Sequence, residues 1–230
     1  MAITKNGKVY SWGYSGFGLL GRDGVQNIPI AIENFTVKLP NHTLQLIKDM
    51  SYVENMVDGK VVEKKFNNAN YSIKITKVQC VSLGTMVLTD KGEIYYTGDS
   101  RYGQLPVEED KNNDLMKGSD EVFRQISLPG RVVKDIFCGG DHIFGVTMDD
   151  KVYGWGRNDS AQLGIGQQQD YVNFPTEVPA FRDIAVTKIV CGHNYSAAIT
   201  SSHRLMVAGS MEYGKLGLGT NQRSGFAQDF

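Results

Sequence analysis

Short apolar runs separated by glycine, aspartate and proline alternate along most of the chain, and no segment among them keeps a helical period over eleven or more residues. β-Branched and aromatic residues bounded by such turn residues are typical of β-strands. Residues 133–180 show the pattern: VKDIFC, a double-glycine turn, HIFGVTMDD, KVYGWG and, after a polar loop, FPTEVPA. The pattern predicts units of four short strands.

The same pattern recurs four times when the chain is aligned on four anchor glycines: Gly13, Gly98, Gly156 and Gly209. We number the repeats one to four by these anchors. Nine residues before each anchor stands a threonine: Thr4, Thr89, Thr147 and Thr200. Seven residues after each stands a leucine: Leu20, Leu105, Leu163 and Leu216. Eighteen residues before three of the anchors stands a cysteine: Cys80, Cys138 and Cys191. Three cysteines at one repeat position predict small buried apolar side chains rather than catalytic or metal-binding thiols.

A literal G-x-G-x-x-G stands at residues 16–21, within SGFGLLG. This spacing is the fingerprint of a loop that cradles the phosphates of a dinucleotide, and such a loop opens a helix. Here RDGVQNIPI follows, which predicts a loop because of its glycine and proline. Gly18 and Gly21 are repeat positions, whereas Gly16 has no glycine counterpart in the other repeats. We interpret the match as a coincidence and predict no cofactor.

Four short strands per unit predict an all-β fold, a β-propeller, because a unit of this kind buries both faces of its sheet only between neighbours. The order Cys-Gly, threonine turn, Val-Tyr-x-Trp-Gly and Gln-Leu-Gly resembles the regulator-of-chromosome-condensation repeat family. Repeat three matches best, with Trp155 before its anchor; Trp12 matches in repeat one, whereas Thr97 and Ala208 stand there in repeats two and four. The resemblance implies a ring of seven blades, of which about four repeats, a partial ring, are present.

An insertion interrupts what is otherwise a single repeat domain over 1–230. The first two anchors are 85 residues apart, whereas the later ones are separated by 58 and 53 residues. The extra residues fall at about 31–73, between repeats one and two. We expect an elaborated loop, or a short helix in TLQLIKDMSYVENMV together with a pair of strands. Long insertions in such folds often carry function.

Both ends of the sequence fall inside a repeat. Thr4 already lies in the middle of repeat one, without a cysteine-bearing strand before it, and NQRSGFAQDF ends before another such strand would begin. An open half-ring leaves apolar faces and strand edges exposed, which proteins avoid. This leads to the hypothesis that the missing blades come from a second chain, a remainder of the same gene product or another copy.

Charge and composition narrow the classes of function. The formal net charge is −1 and no basic tail is present, which disfavours a nucleic-acid partner. No apolar run approaches the roughly 18 residues of a membrane span, and the N-terminus shows no signal or transit peptide. Three cysteines, an odd number, argue against a disulfide framework. The default expectation is an intracellular, cytoplasmic protein, with a cytoskeletal or organellar assembly as the alternative setting.

Few residues offer catalytic chemistry. His142 corresponds to Gly84 and Tyr195 in other repeats, which favours a structural position over a catalytic base. No pair of histidines has metal-ligand spacing with the cysteines, and Asp149 and Asp150 are explained as hairpin-turn residues. Neither a G-x-S-x-G elbow nor a P-loop occurs. We predict no catalytic, metal or cofactor-binding residues.

Aromatic and cationic residues near the anchors are the remaining candidates, because loops after the third strand would line one rim of a propeller. The candidate rim contacts are Tyr14, Phe17, Tyr102, Tyr213, Arg101 and Arg157. Rim aromatics often anchor protein contacts, and packing beneath the loop is the alternative explanation. The acidic loop PVEEDKNNDLMKGSDE is either a solvated surface or a patch for a basic partner.

Together these features favour a non-catalytic scaffold or accessory subunit. Its expected partners are proteins, including a chain or segment that completes the propeller. The resemblance to the founding member of the family implies the alternative, guanine-nucleotide exchange on a small GTPase. A fold of this kind hosts many functions, so the distinction depends on the loops rather than on the repeats.

Overall fold

The structure, a computed structural model, is all-β in the residues it describes. These are 1–5, 8–14, 26–31, 34–38, 44–48, 52–57, 60–66, 74–106, 123–128, 130–166 and 169–219, and between 26 and 66 they comprise strands and their pairing. Eighteen strands, two 3-10 turns and no α-helix lie in these ranges. The chain divides into two compact units, Met1–Asp99 with Asn113–Pro129 and Ser100–Asn112 with Gly130–Phe230.

The strands of repeats one and two belong to the first unit, whereas the loop residues 100–112 of repeat two belong to the second unit. Repeat one forms an antiparallel sheet of β1 (Ala2–Ile3), β2 (Val9–Gly13) and β3 (Gln26–Ala31). Repeat two forms β8 (Ile75–Val81), β9 (Gly84–Thr89), β10 (Ile94–Gly98) and β11 (Phe123–Ile126), each antiparallel to the next. The prediction of a loop over RDGVQNIPI was wrong for its second half, which is β3. A strand stands where a dinucleotide loop would need a helix.

The insertion forms a meander of four antiparallel strands. They are β4 (Asn34–Lys38), β5 (Leu44–Lys48), β6 (Tyr52–Val57) and β7 (Lys60–Phe66). Strand β4 pairs in parallel with β11, so one eight-stranded sheet runs β7-β6-β5-β4-β11-β10-β9-β8. The short helix considered for TLQLIKDMSYVENMV was wrong, because β5 and β6 occupy that segment and pair Leu44 opposite Met56. The free edge of β11 gives the segment a pairing partner that local sequence does not reveal.

Repeats three and four belong to the second unit. Repeat three forms β12 (Val133–Cys138), β13 (His142–Thr147), β14 (Val152–Arg157) and β15 (Tyr171–Glu177), in that order and antiparallel. Repeat four forms β16 (Val186–Cys191), β17 (Tyr195–Thr200) and β18 (Leu205–Gly209). The strands predicted for repeat three are therefore confirmed. Two 3-10 turns, Pro179–Phe181 and Glu212–Gly214, follow β15 and β18.

The recurring threonine closes the hairpin between the second and third strands of each repeat. Its backbone N–H donates to the carbonyl four residues on, and its Oγ1 accepts from that residue's N–H at 3.0 to 3.1 Å in all four repeats. Six residues before the anchor the backbone is left-handed, with φ of 63° at both Asp150 and His203 and 75° at Gly92. Aspartate tolerates this geometry, which agrees with the turn role predicted for Asp150.

The anchor glycines end the third strands with a left-handed residue. Their φ values are 110°, 120°, 95° and 116° in chain order. At Gly156 a Cβ atom would lie 2.5 Å from the carbonyl oxygen of Asp141, and at Gly209 it would lie 2.5 Å from the Cα of Tyr195. Both φ and the close approach of the second strand therefore require glycine. The anchors turn the chain into the loops that carry the candidate residues.

Neighbouring repeats pack face to face through two sets of positions. We call the residues 12, 10 and 4 before an anchor the forward face, and those 11, 3 and 1 before it the rear face. In the second unit the forward face of repeat three (Phe144, Val146, Val152) and the rear face of repeat four (Ala198, Met206, Ala208) share one buried cluster. In the first unit the forward face of repeat one (Met1, Ile3, Val9) packs against repeat two. Each fully buried aliphatic side chain contributes about 1.5–3 kcal/mol, so these interfaces hold the repeats together.

Candidate functional site

The predicted rim residues that the structure describes lie at the ends of the third strands or in the loops after them, but in different surroundings. Tyr14 and Arg101 are exposed, and Tyr213 is completely exposed. Tyr102 and Arg157 are half-buried. Phe17, which shares its repeat position with Tyr102 and Tyr213, lies outside the described residues, as does Leu20. The other three repeat leucines, Leu105, Leu163 and Leu216, are buried beneath the loops.

Tyr102 and Arg157 meet although they belong to different repeats. The Arg157 guanidinium lies 4.7 Å from the centre of the Tyr102 ring. The same guanidinium donates from Nε (2.8 Å) and an Nη (2.6 Å) to one carboxylate oxygen of Asp159, and lies 3.7 Å from the nearly buried Asp141. Partial burial works against the charge of Asp159, but the hydrogen bond and charge of Arg157 outweigh it and lower the Asp159 pKa. The pair is held in place rather than free to search for a ligand.

The glutamine of each Gln-Leu segment ties its loop to the following repeat. Gln104 Oε1 accepts from the backbone of Tyr102 (3.0 Å), and Gln162 Oε1 does the same for Ser160 (2.9 Å). The Gln104 carbonyl then accepts the Trp155 Nε1 hydrogen at 3.0 Å. Because Trp155 is fully buried, this bond satisfies its only donor. Sequence reasoning found these glutamines as motif residues but missed that they join repeats.

In repeat four, the equivalent loop presents its side chains to the outside. Tyr213 has φ of 59°, a left-handed conformation that is uncommon for a non-glycine residue. Lys215 stands at the position of Gln104 and Gln162, and its Nζ donates to Asn194 Oδ1 at 3.0 Å. The same ammonium lies 6.0 Å from the Tyr213 ring centre. Lys215 is half-buried, so Tyr213 is the exposed member of this pair and the most exposed of the predicted rim residues that the structure describes.

His142 is a buried link between repeats three and four. Ser196 Oγ donates to the Gln162 carbonyl (2.9 Å), so the contact of 2.7 Å between His142 Nε2 and Ser196 Oγ has the imidazole as donor. Nδ1 then carries no hydrogen, and among the described residues it has no hydrogen-bond partner. Burial, assisted by the charge of His193, lowers the pKa of His142 to about 3. A neutral, enclosed imidazole fits the structural position predicted for it.

Repeat two builds the equivalent corner with a different set of residues. In repeat three a Cβ atom on Gly139 would collide with the His142 ring, and in repeat four the same holds for Gly192 and Tyr195. In repeat two, Val81 replaces this glycine and Gly84 replaces the ring-bearing residue. The space beside Gly84 is taken by the hydroxyl end of Tyr96, which donates to the Asp99 carbonyl. Repeat two therefore departs from the motif at Val81 and Gly84, and the side chain of Tyr96 fills the space that the ring occupies in repeats three and four.

The cysteines share a register position but not the expected burial. Each pairs with the residue five positions later, in Cys80–Thr85, Cys138–Ile143 and Cys191–Ser196. Cys138 and Cys191 are half-buried, and burial raises the pKa of the Cys191 thiol to about 12. Cys80 is exposed, so the prediction of three buried thiols was wrong for it. The repeat fixes the position on the strand, whereas burial depends on what packs against that strand.

Trp12 and Trp155 occupy one repeat position, but Trp12 is 38% exposed and Trp155 is fully buried. A shared position in the motif therefore does not give the two tryptophans the same burial. Trp155 is covered by the Gln104 loop of the repeat before it. Among the described residues no loop stands in that place for Trp12. The difference in burial between the two tryptophans therefore goes with the Gln104 loop that lies over Trp155.

In the part of the chain that the structure describes, no group of three or more His, Cys, Asp and Glu side chains is placed to hold a metal ion. Within the same ranges, no helix has the length and hydropathy needed to span a bilayer.

Two family models of the regulator of chromosome condensation (RCC1) repeat match the chain, one over residues 149–199 and the other over 133–162. Together these residues cover all four strands of repeat three and, in repeat four, β16 and all but the last residue of β17. Residues 133–199 of the chain belong to the RCC1-type repeat family. Its all-β fold is of the RCC1-type β-propeller class, with four repeats.

Curated relatives contain RCC1-type sequence as one part of larger proteins. The chain is 25% identical over 232 residues to serine/threonine-protein kinase Nek8 of Danio rerio, covering 99% of this chain and 28% of the kinase. It is 32% identical over 150 residues to the ultraviolet-B receptor UVR8 of Arabidopsis thaliana, covering 64% and 32%. It is 31% identical over 146 residues to the probable E3 ubiquitin-protein ligase HERC4 of Homo sapiens, covering 63% and 13%. The chain thus spans less than a third of each of these relatives.

Solved structures show the same fold. Human WBSCR16 aligns with a TM-score of 0.59 and 20% identity, covering 94% of this chain and 64% of that one. Prp20p from Saccharomyces cerevisiae, a protein studied for its binding properties to Gsp1p and histones, aligns with a TM-score of 0.55 and 18% identity, covering 92% and 55%. At this level of identity the similarity establishes the fold and not the partner.

Proposed function

We propose that this RCC1-type chain is a non-catalytic protein-interaction module, a scaffold or accessory subunit that holds a protein partner through its rim loops. The observation that carries the proposal is Tyr213, completely exposed and held at φ of 59°. A non-glycine residue in a sparsely populated conformation costs on the order of 1 kcal/mol, and such strain concentrates at functional sites. An exposed tyrosine ring is also a frequent anchor of protein interfaces.

Tyr102 indicates what this loop position does when it is engaged. It shares the repeat position of Tyr213, and its ring accepts the Arg157 guanidinium of the next repeat at 4.7 Å. A guanidinium over an aromatic face contributes about 0.5–2 kcal/mol, more when water is excluded. We therefore expect the partner to place a planar or cationic group, such as an arginine, on Tyr213.

The non-catalytic character is supported by where the perturbed groups lie. His142, with its pKa lowered to about 3, is enclosed between repeats and cannot reach a substrate. Cys191, with its thiol pKa raised to about 12, carries no thiolate at neutral pH and makes a poor nucleophile. Catalytic groups need a pKa matched to their task and an open cleft, which neither residue has.

Affinity purification with paired variants tests the proposal. Tyr213→Ala is compared with the wild-type chain and with Tyr171→Ala, a control that removes another exposed tyrosine away from the loop. We expect one stoichiometric protein partner to be lost by at least about tenfold with Tyr213→Ala and retained with Tyr171→Ala. Partners that are equally retained by all three proteins would overturn the assignment of this loop as the contact.

Guanine-nucleotide exchange on a small GTPase is the second candidate. It is favoured by the structural similarity to Prp20p, a protein studied for its binding to Gsp1p. The test is release of a fluorescent guanine nucleotide from a panel of small GTPases. Release accelerated by substoichiometric amounts of the chain would replace the scaffold proposal. Stable binding of a GTPase without accelerated release of the nucleotide would support the scaffold proposal.

A further inference from the structure

The forward face of repeat four is exposed although the same positions are buried in repeat three. Ile199 and Leu205 are 40% and 37% exposed, and Val190 beside them is also exposed. Their counterparts Val146 and Val152 are buried against repeat four. Adjacent exposed apolar residues on one sheet face mark an interaction surface more often than isolated ones do. The face has the composition of an interface and lacks a cover in the described residues.

The rear face of repeat one, which corresponds to the face that packs on a forward face in repeat four, is also largely exposed. It consists of Ala2, Tyr10 and Trp12, of which Ala2 and Trp12 are exposed and Tyr10 is half-buried. The same positions in repeat four, Ala198, Met206 and Ala208, are buried. The chain therefore displays both halves of the contact that it builds internally between repeats three and four.

The hydrogen-bonding groups of these two faces also match. Trp155 enters its interface by donating to the Gln104 carbonyl in the loop of the preceding repeat. Trp12 has the position of Trp155, and Lys215 has the position of Gln104. If repeat one followed repeat four, the Lys215 backbone carbonyl would stand where it could accept the Trp12 Nε1 hydrogen, as the Gln104 carbonyl does for Trp155. Apolar surface and donor would then be satisfied together.

We propose that the chain associates with a second copy of itself head to tail, the forward face of repeat four in one copy packing on the rear face of repeat one in the other. The inference goes beyond the proposed function, because it concerns the sheet faces of repeats one and four and not the rim loops. The contact is heterologous, so it closes into a ring of copies or continues as an open chain, depending on its rotation.

Light scattering coupled to size exclusion tests the association with the 230-residue chain. We expect a particle of at least twice the mass of one chain at micromolar concentration. Ile199→Glu places a charge in the forward face and should weaken association by about 100-fold or more. Met148→Glu is the matched control, because Met148 is an equally apolar and more exposed residue in a hairpin turn outside both faces. It should leave the mass unchanged.

Mixing two variants distinguishes this geometry from a symmetric one. Ile199→Glu copies have no competent forward face, and Trp12→Glu copies have no competent rear face, so each variant alone should be monomeric. Mixed in equal amounts, they should form a one-to-one pair, because one forward face and one rear face remain intact. Ala2→Glu serves as a second rear-face variant if Trp12→Glu fails to fold, as judged by circular dichroism.

Three results would overturn the inference. A wild-type chain that is monomeric at tens of micromolar excludes self-association but leaves the Tyr213 contact open to its own test. Trp12→Glu and Ala2→Glu proteins that still associate would indicate that the forward faces meet each other. Failure of the two variants to pair when mixed would show that repeat one is not the second half of the contact.

Discussion

Repeats three and four have the same three strands, the same threonine hairpin and the same anchor glycine, yet they differ in what covers them. In repeat three the forward face is buried against repeat four and Trp155 is sealed by the Gln104 loop. In repeat four the rear face is buried, while Ile199, Leu205 and Tyr213 are exposed. The difference shows that the burial of a side chain in this fold is determined by the repeat packed against it and not by its position in the repeat sequence.

The largest expected effect tests that statement at the two tryptophans. Trp155→Ala removes a fully buried indole and should lower the free energy of unfolding by about 3–5 kcal/mol. Trp12→Ala, at the same repeat position but 38% exposed, should cost much less in the monomer. Urea denaturation of both variants measures the contrast. Equal losses would mean that the repeat position, and not the neighbour, sets the contribution.

The next effect probes the corner where repeats three and four meet. Gly139→Ala brings a Cβ atom into the His142 ring and within 2.5 Å of the Gly192 carbonyl oxygen. Overpacking of this kind costs about 1–3 kcal/mol. Adding His142→Ala should recover part of the loss, because the ring is one of the two groups in conflict. Calorimetric melting of the single and double variants gives the coupling, and strict additivity would argue against the clash.

The buried imidazole gives this junction a pH dependence. Its folded pKa is lowered to about 3, while the unfolded chain binds a proton near pH 6.5. As pH falls below 6.5 the unfolded state gains a proton that the folded state does not, so the stability falls by up to about 1.4 kcal/mol per pH unit. Between pH 7 and 5 the loss should reach no more than about 2 kcal/mol. His142→Gln should flatten this slope, whatever its effect at pH 7, and an unchanged slope would contradict the assignment.

The smallest effect is expected at the engaged rim pair. Arg157→Met removes the cation over Tyr102 and the ion pair with Asp159. Because the guanidinium is partly solvated, we expect a loss of about 1 kcal/mol or less. A double-mutant cycle with Tyr102→Leu isolates the ring contact from the ion pair. A coupling of zero would remove the argument that Tyr213 is arranged to receive a cation.

The repeat spacing predicted most of the fold because each repeated residue is required by the backbone conformation or the hydrogen bonds of its own turn. The anchor glycines are needed for φ near 100°, and the threonines for the hairpin hydrogen bonds, wherever the repeat stands. These needs are met within a few residues of sequence. The same spacing predicted the all-β class, and the family was found by the resemblance of the motif residues at these positions.

The parts that could not be predicted depend on residues far apart in the sequence. The exposure of Cys80 and Trp12 is set by which repeat lies beside them, which a one-dimensional pattern does not contain. The stacking of Arg157 on Tyr102 joins residues 55 positions apart, and the sequence suggested only that both lie on a rim. The strands of the insertion depend on the edge of β11, reached through parallel pairing.

The parallel pairing of β4 with β11 also determines which strand forms the edge of the eight-stranded sheet. With β4 bonded to β11, the border of the sheet on that side moves outward to β7, whose sequence is KVVEKKF. A strand with three lysines and a glutamate is a poor template for another chain, since like charges repel across a shared edge. The meander thus places a highly charged strand at this edge of the sheet. An edge strand of this kind disfavours pairing with a strand of another chain and therefore aggregation.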